Sequence, residues 1–124
     1  MPQIEVLDLK DTNIGRNRCV TLGSILSSWH APKLEELDLG DNSIDDRGLQ
    51  ALVAGMTNCC NLEIVKLSGN DSITAAGFSS LSTLFQSENC VLKELYLERM
   101  NIGDDGVVAL AEGLVGNKTL EKLC

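Results

Sequence analysis

The stretch Leu34-Glu35-Glu36-Leu37-Asp38-Leu39-Gly40-Asp41-Asn42-Ser43-Ile44 returns along this chain as the frame L-x-x-L-x-L-x-x-N-x-I. Its aligned starts fall at Ile4, Leu34, Leu62, Leu92 and Leu120, so the spacings are 30, 28, 30 and 28 residues. Periods of this size belong to solenoids, in which one unit buries its apolar side only by stacking on the next. This requirement restricts the fold more than any other feature of the sequence.

The apolar slots are filled with little slippage. The first copy reads Ile4, Leu7, Leu9, then Thr12 and Ile14; the second reads Leu34, Leu37, Leu39, Asn42 and Ile44. The third reads Leu62, Val65, Leu67 and Asn70, with one inserted residue before Ile73, and the fourth reads Leu92, Leu95, Leu97, Met100 and Ile102. A fifth begins at Leu120 and Leu123. Each L-x-L alternates apolar and polar residues, the pattern of a short strand with one buried face.

Beyond each isoleucine the period changes. Gly48, Gly77 and Gly106 stand four residues after it, with Arg18 in the first copy. From there Cys19, Leu22 and Leu26; Leu49, Leu52 and Met56; Phe78, Leu81 and Phe85; and Val107, Leu110 and Leu114 fall at i, i+3 and i+7. One such stripe predicts an amphipathic helix packed on a single layer. Asp45 and Asp46, Thr74, and Asp104 and Asp105 stand where helices start, and side-chain acceptors there satisfy free backbone N–H groups. The glycines at the helix starts predict close backbone approach to the strand beneath.

Strand, turn, helix and return make one unit, and strands joined through a helix run parallel with right-handed crossovers. Strands pack about 4.8 Å apart while helices need about 10 Å. The stack therefore bends, with the sheet inside and the helices outside. The expected fold class is α/β: a right-handed horseshoe solenoid over residues 1–124, a single array of about four repeats and a partial fifth.

These residues resemble the leucine-rich repeat family, in its ribonuclease-inhibitor-like class. Leu95-Tyr96-Leu97-Glu98-Arg99-Met100-Asn101-Ile102-Gly103-Asp104-Asp105-Gly106 through Leu114 is similar to the family's L-x-L…N-x-L-G-D-x-G-V-x-x-L-x-x-x-L unit. The resemblance implies that Asn42 and Asn70 form a buried structural ladder, their amides bonding the backbone of adjacent turns. Thr12 and Met100 occupy the same slot and imply a ladder broken at alternate rungs. The resemblance also implies buried cysteines at Cys60 and Cys90, two residues ahead of Leu62 and Leu92. Proteins of this fold serve different functions, among them GTPase activation and ligand sensing in NOD-like receptors.

The chain has five cysteines, an odd number that argues against a closed disulfide framework and for reduced core thiols in a cytoplasmic protein. Cys59-Cys60 lacks a second pair at metal-ligand spacing, so neither a metal nor a cofactor is expected. Met1-Pro2-Gln3 leads straight into the first predicted strand, so no signal peptide is expected, and no apolar run approaches the roughly 18 residues a bilayer demands. Of the two sequons, the one at Asn70 falls on a ladder residue and the other at Asn117; both are read as chance.

Neither end carries a polar-faced cap of the kind that closes natural solenoids. Ile4, Leu7, Leu9, Cys19, Leu22 and Leu26 are expected to expose apolar surface at one end. Leu120 and Leu123, beside Leu110 and Leu114, are expected to do so at the other. The chain is expected to be an excised part of a longer array. The alternative is end-to-end self-association through the uncapped repeats.

Function is sought on the concave face. The outward frame positions there carry eleven acids and five bases, a net of −6 out of the chain's −8. The candidate partner-binding residues are Glu36, Asp38, Asp41, Ile64, Lys66, Glu94, Tyr96, Glu98 and Arg99. Tyr96 and Arg99 belong to types that recur as anchors at binding hot spots. Asp8 beside Asp38 and Glu35 beside Glu63 place like charges on adjacent strands, a destabilising arrangement. Such a face suits a basic partner, although a merely solvated polar face has the same composition. The acid excess repels phosphate, which argues against nucleic acid.

A convergent nucleophile and base are missing: the sole histidine, His30, lies in a return loop beside Trp29, which is expected to cover the end of the first helix. The sequence thus predicts a non-catalytic protein-interaction scaffold with a protein partner. The alternatives are a GTPase-activating repeat protein and the ligand-sensing repeats of a NOD-like receptor.

Overall fold

A computed structural model describes residues 4–29 and 33–124, with Trp29 described in its backbone alone. The expectations for Met1-Pro2-Gln3, for the Trp29 side chain and for His30 lie outside the described residues. The elements follow the repeats: β1 (Val6–Asp8), α1 (Arg16–Trp29), β2 (Glu36–Asp38), α2 (Asp46–Met56), β3 (Ile64–Lys66), α3 (Ala75–Phe85), β4 (Glu94–Tyr96), α4 (Gly103–Gly113) and β5 (Lys122–Leu123).

The strands form one parallel sheet in sequence order, β1-β2-β3-β4-β5. Leu7, Leu37, Val65, Leu95 and Leu123 stand in one register row, so the same frame position points the same way in every strand. In the middle of the stack that direction is inward: Leu37, Leu39, Val65, Leu67 and Leu95 are fully buried. The helices form the second layer, each packed on its neighbours in chain order. The fold is therefore the α/β horseshoe solenoid of about four repeats.

Behind the strands, two asparagines stitch the turns. Asn42 Oδ1 accepts the N–H groups of Thr12 and Ile14, each at 3.0 Å, and its Nδ2 donates to the carbonyls of Leu9, Leu39 and Gly40. Asn70 repeats the geometry one repeat later, accepting from Asn42 and Ile44 and donating to Leu39 and Leu67. The two rungs are adjacent, with Thr12 before and Met100 after them, so the expected alternation gives way to one unbroken central pair. Asn70 is fully buried, which leaves its amide inaccessible to glycosylation.

Several expectations change once the helices are packed. The helix-start glycines do not approach a strand. A Cβ on Gly48 would stand 3.1 Å from Cys19 Sγ, and one on Gly106 3.1 Å from Phe78 Cδ2. One on Gly77 would stand 2.4 Å from Asp46 Oδ1, so these glycines admit the preceding helix. Cys19 and Leu26 point at α2 rather than at the open end and are buried, as is Leu110. Val107, in the frame position of buried Leu49 and Phe78, is 58% exposed because α4 has a helix on one side only.

Cys60 is exposed, whereas Cys59 is buried, because the turn that closes from Leu62 N–H to the Cys59 carbonyl points the earlier side chain inward. Cys90 is half-buried, and all five cysteines are free. Burial raises the thiols of Cys19 and Cys59 to about 11.

Helix starts are capped across repeats as well as within them. Asp45 caps α2 by accepting from Gly48 N–H at 2.8 Å, and Arg16 reaches the same carboxylate at 2.6 Å. Their mutual hydrogen bond holds Asp45 below the ordinary carboxylate range and raises Arg16. Thr74 makes no cap of its own; its N–H and hydroxyl donate to Asp46 of the preceding repeat.

Candidate binding face

The strands place one side chain in two on the concave surface, and the register builds rows across it. Val6, Glu36, Ile64, Glu94 and Lys122 form one row; Asp8, Asp38, Lys66 and Tyr96 form the next. Glu36, Asp38, Ile64, Lys66, Glu94 and Tyr96 are each half-buried, as is Asp41, while Glu98 and Arg99 are exposed. All nine sequence-derived candidates therefore border the inner surface of one sheet.

Just past the strands the backbone turns sharply. Asp11, Asp41 and Arg99 adopt positive φ values of 53°, 54° and 56°, and Gly69 in the same frame position has 81°. Non-glycine residues rarely take this conformation, and where it persists the surroundings hold it. The glycine has a second use. A Cβ at Gly69 would meet the Asp41 carboxylate, so its absence lets Asp41 lean across the third repeat toward Arg99, 3.6 Å away.

Other cross-repeat ion pairs join Lys66 to Glu36 at 3.4 Å and Lys93 to Glu63 at 3.1 Å. The Glu63 pair raises the Lys93 ammonium and takes up one of the acids expected to oppose Glu35. Asp8 and Asp38 do stand opposite one another, and each carboxylate accepts an N–H two residues ahead, from Lys10 and Gly40, at 3.0 Å. Like charges are thus relieved by local donors or by a base from the following repeat.

Tyr96 is central to the mixed part of the face. Its hydroxyl donates to Glu94 at 2.5 Å, which pushes its own titration upward, and the ammonium groups of Lys66 and Lys122 lie 5.5 and 5.3 Å from its ring centroid. These are cation–π distances. Beside it opens a hollow of about 270 Å³ reaching from Lys10 and Asp38 to Glu98 and Arg99. The hollow exists because the row Lys10, Gly40, Ser68, Glu98 has small residues in its two middle repeats. Lys10, Gly40, Ser68 and Lys122 were absent from the candidate set; the small-residue row signals the first three in the sequence, and Lys122 enters through its place in the Glu94 row.

The acid excess is not spread evenly. On the first two repeats the concave positions hold seven acids and one base, and on the last three they hold four of each. The whole net negative charge of the face therefore sits over β1 and β2.

The Leucine Rich repeat family profile matches residues 30–53, 58–82 and 88–111. Mouse ribonuclease inhibitor is 33% identical over 123 residues, covering 98% of this chain and 26% of its own length. Mouse NACHT, LRR and PYD domains-containing protein 3 is 36% identical over 110 residues, covering 88% of this chain and 10% of its own. The chain belongs to the leucine-rich repeat family, in its ribonuclease-inhibitor-like class. It spans about a quarter of the inhibitor and about a tenth of the NACHT protein. Among solved structures, leiomodin-1 actin-binding site 2 superposes with a TM-score of 0.80 at 19% identity, covering 98% of this chain and 70% of that one, a likeness of fold.

Proposed function

We propose that this chain is a non-catalytic, cytoplasmic protein-interaction scaffold that binds a partner protein on its concave face. The observation that carries this reading is the hollow beside Tyr96. A large aromatic side chain stands next to small residues on a rigid parallel sheet, ringed by charges that can pair with a partner. The candidate contacts are Glu36, Asp38, Asp41, Ile64, Lys66, Glu94, Tyr96, Glu98 and Arg99. The acid excess over β1 and β2 favours a partner with a basic segment and disfavours phosphate backbones. A relative named for inhibiting ribonucleases acts on another protein, which supports the same class of function. Among the described residues no helix is long and apolar enough to cross a membrane.

A second reading is favoured by the relatives of the NACHT, LRR and PYD type, several of which are 33–38% identical to this chain. In that reading the same face belongs to the sensing repeats of such a receptor.

Photo-crosslinking distinguishes a concave from a convex partner site. A benzoylphenylalanine at Tyr96 should capture a partner in cell extract, and one at Val108, exposed on α4, should not. Equal capture from both positions, or capture from Val108 alone, removes the concave assignment. End-to-end association is a separate matter. Val6, Val115 and Leu123 are 55%, 74% and 47% exposed at the two ends, and sedimentation across a concentration series reads whether those ends meet.

A further inference from the structure

The concave face changes character between β2 and β3, and two ion pairs straddle that border. Lys66 reaches back to Glu36 at 3.4 Å, and Arg99 reaches over Gly69 to Asp41 at 3.6 Å. Both are looser than a charge-assisted hydrogen bond, which closes to about 2.7–2.9 Å. Arg16 and Asp45, at the starts of α1 and α2, make that closer contact at 2.6 Å. Arg99 is also 64% exposed. Loose pairs that are only partly buried contribute modestly to folding and separate at modest cost.

We propose that the partner binds by exchanging these pairs. Two basic groups of the partner take the carboxylates of Glu36 and Asp41, one each, and acidic groups of the partner take Lys66 and Arg99 at the hollow beside Tyr96. The partner segment is therefore two-signed, with its acid about 5–10 Å from its basic cluster, the span of one to two strand spacings from β2. This rests on the concave-face reading and specifies its partner.

Charge complementarity selects this occupant over simpler ones. A wholly basic segment would be drawn to β1 and β2, but its far end would press cations on Lys66, Arg99 and Lys122. A wholly acidic segment would be repelled by the acids of β1 and β2. Docking also excludes water, so the exchanged pairs form in a lower dielectric than the exposed pairs they replace and gain strength. Gly40 and Ser68 leave the room a carboxylate needs, and the Ser68 hydroxyl oxygen, which accepts from Glu98 N–H at 3.0 Å, keeps its own proton available to donate.

The test uses the intact, isotope-labelled chain and two peptides: oligolysine, and oligolysine joined to oligoglutamate through a glycine linker spanning about 10 Å. The two-signed peptide should bind about fivefold more tightly than oligolysine, the gain that two partly exposed pairs support. It should shift the amide signals of Ser68, Tyr96 and Arg99, which oligolysine leaves in place. The double variant Lys66→Glu with Arg99→Glu should abolish the advantage while retaining oligolysine binding. Lys66→Gln with Arg99→Gln gives the same comparison should charge reversal disturb folding. Equal affinities with no shift in the hollow overturn the exchange while leaving oligolysine shifts on β1 and β2. Shifts confined to the helices for both peptides overturn the concave reading together with it.

Discussion

The joints between successive repeats are closed by two different chemistries. Between the first and second repeats, and between the second and third, an asparagine amide reaches back from the later turn and binds the backbone of the earlier one. At the next joint Met100 takes that slot and brings no amide. There the stitching moves to the return loops, where Asn117 Nδ2 donates to the Phe85 carbonyl at 2.8 Å and its Oδ1 accepts from Leu120 N–H at 2.9 Å. Thr12, ahead of the first joint, bonds only within its own turn through its hydroxyl, to Leu9 at 2.6 Å. One frame can thus be held together by a polar rung beneath the sheet or by a polar clip beneath the helices. The position of the amide differs, while its task of satisfying buried backbone groups does not.

Both kinds of joint share the aliphatic layer, so its loss has the largest expected effect. Leu67→Ala should cost about 2–5 kcal/mol, because a fully buried side chain leaves a cavity that neighbouring repeats close only partly. Leu9→Ala, half-exposed at the edge, should cost clearly less in the same urea titration. Asn70→Ala should follow at about 1–3 kcal/mol, since it strands the N–H groups of Asn42 and Ile44 and two carbonyls. Thr12→Ala, which removes one local exposed bond, should stay near about 0.5 kcal/mol. Similar losses for Asn70 and Thr12 would break the contrast between stitched and unstitched turns.

The thiols sharpen the comparison between interior and rim. Cys19 and Cys59 are raised to about 11 by burial, so at mildly alkaline pH they should alkylate far more slowly than exposed Cys60 and Cys124, as read by mass spectrometry. A thiol raised above its ordinary value of 9.0 contributes fully below that pH, and its contribution is lost as pH rises toward about 11. The smallest expected effect is that of Tyr96→Ala on folding, within about 0.5 kcal/mol for a half-buried concave residue, whereas peptide binding at the face should fall. A melting loss equal to that of Leu67→Ala would place Tyr96 in the core instead.

Much of this was legible in the residues. The period, the strand register, the burial of Leu37, Leu39 and Leu67, and the buried stripes of α2 and α3 all follow from apolar spacing. Apolar spacing is local, and it repeats. Where the reading failed, the missing information was the orientation of one helix on the next. Cys19 and Leu26 look like end-face residues in a list of positions, yet they point toward α2, where glycines 48 and 55 make room for them. Cys59 and Cys60 exchange roles through a single turn. The clip made by Asn117, in the return loop after α4, had no counterpart in the repeat frame.

The sequence by itself determined that this chain stacks parallel strands under a layer of helices, because a two-residue and a 3.6-residue period of apolar side chains admit few other ways to leave water. Only the tertiary structure decided which charges meet: Lys66 with Glu36, Lys93 with Glu63, and Arg99 with Asp41 across the space left by Gly69. Those partners lie in different repeats, and their meeting depends on curvature, on left-handed turn residues and on the reach of flexible side chains, none of which a repeat frame encodes.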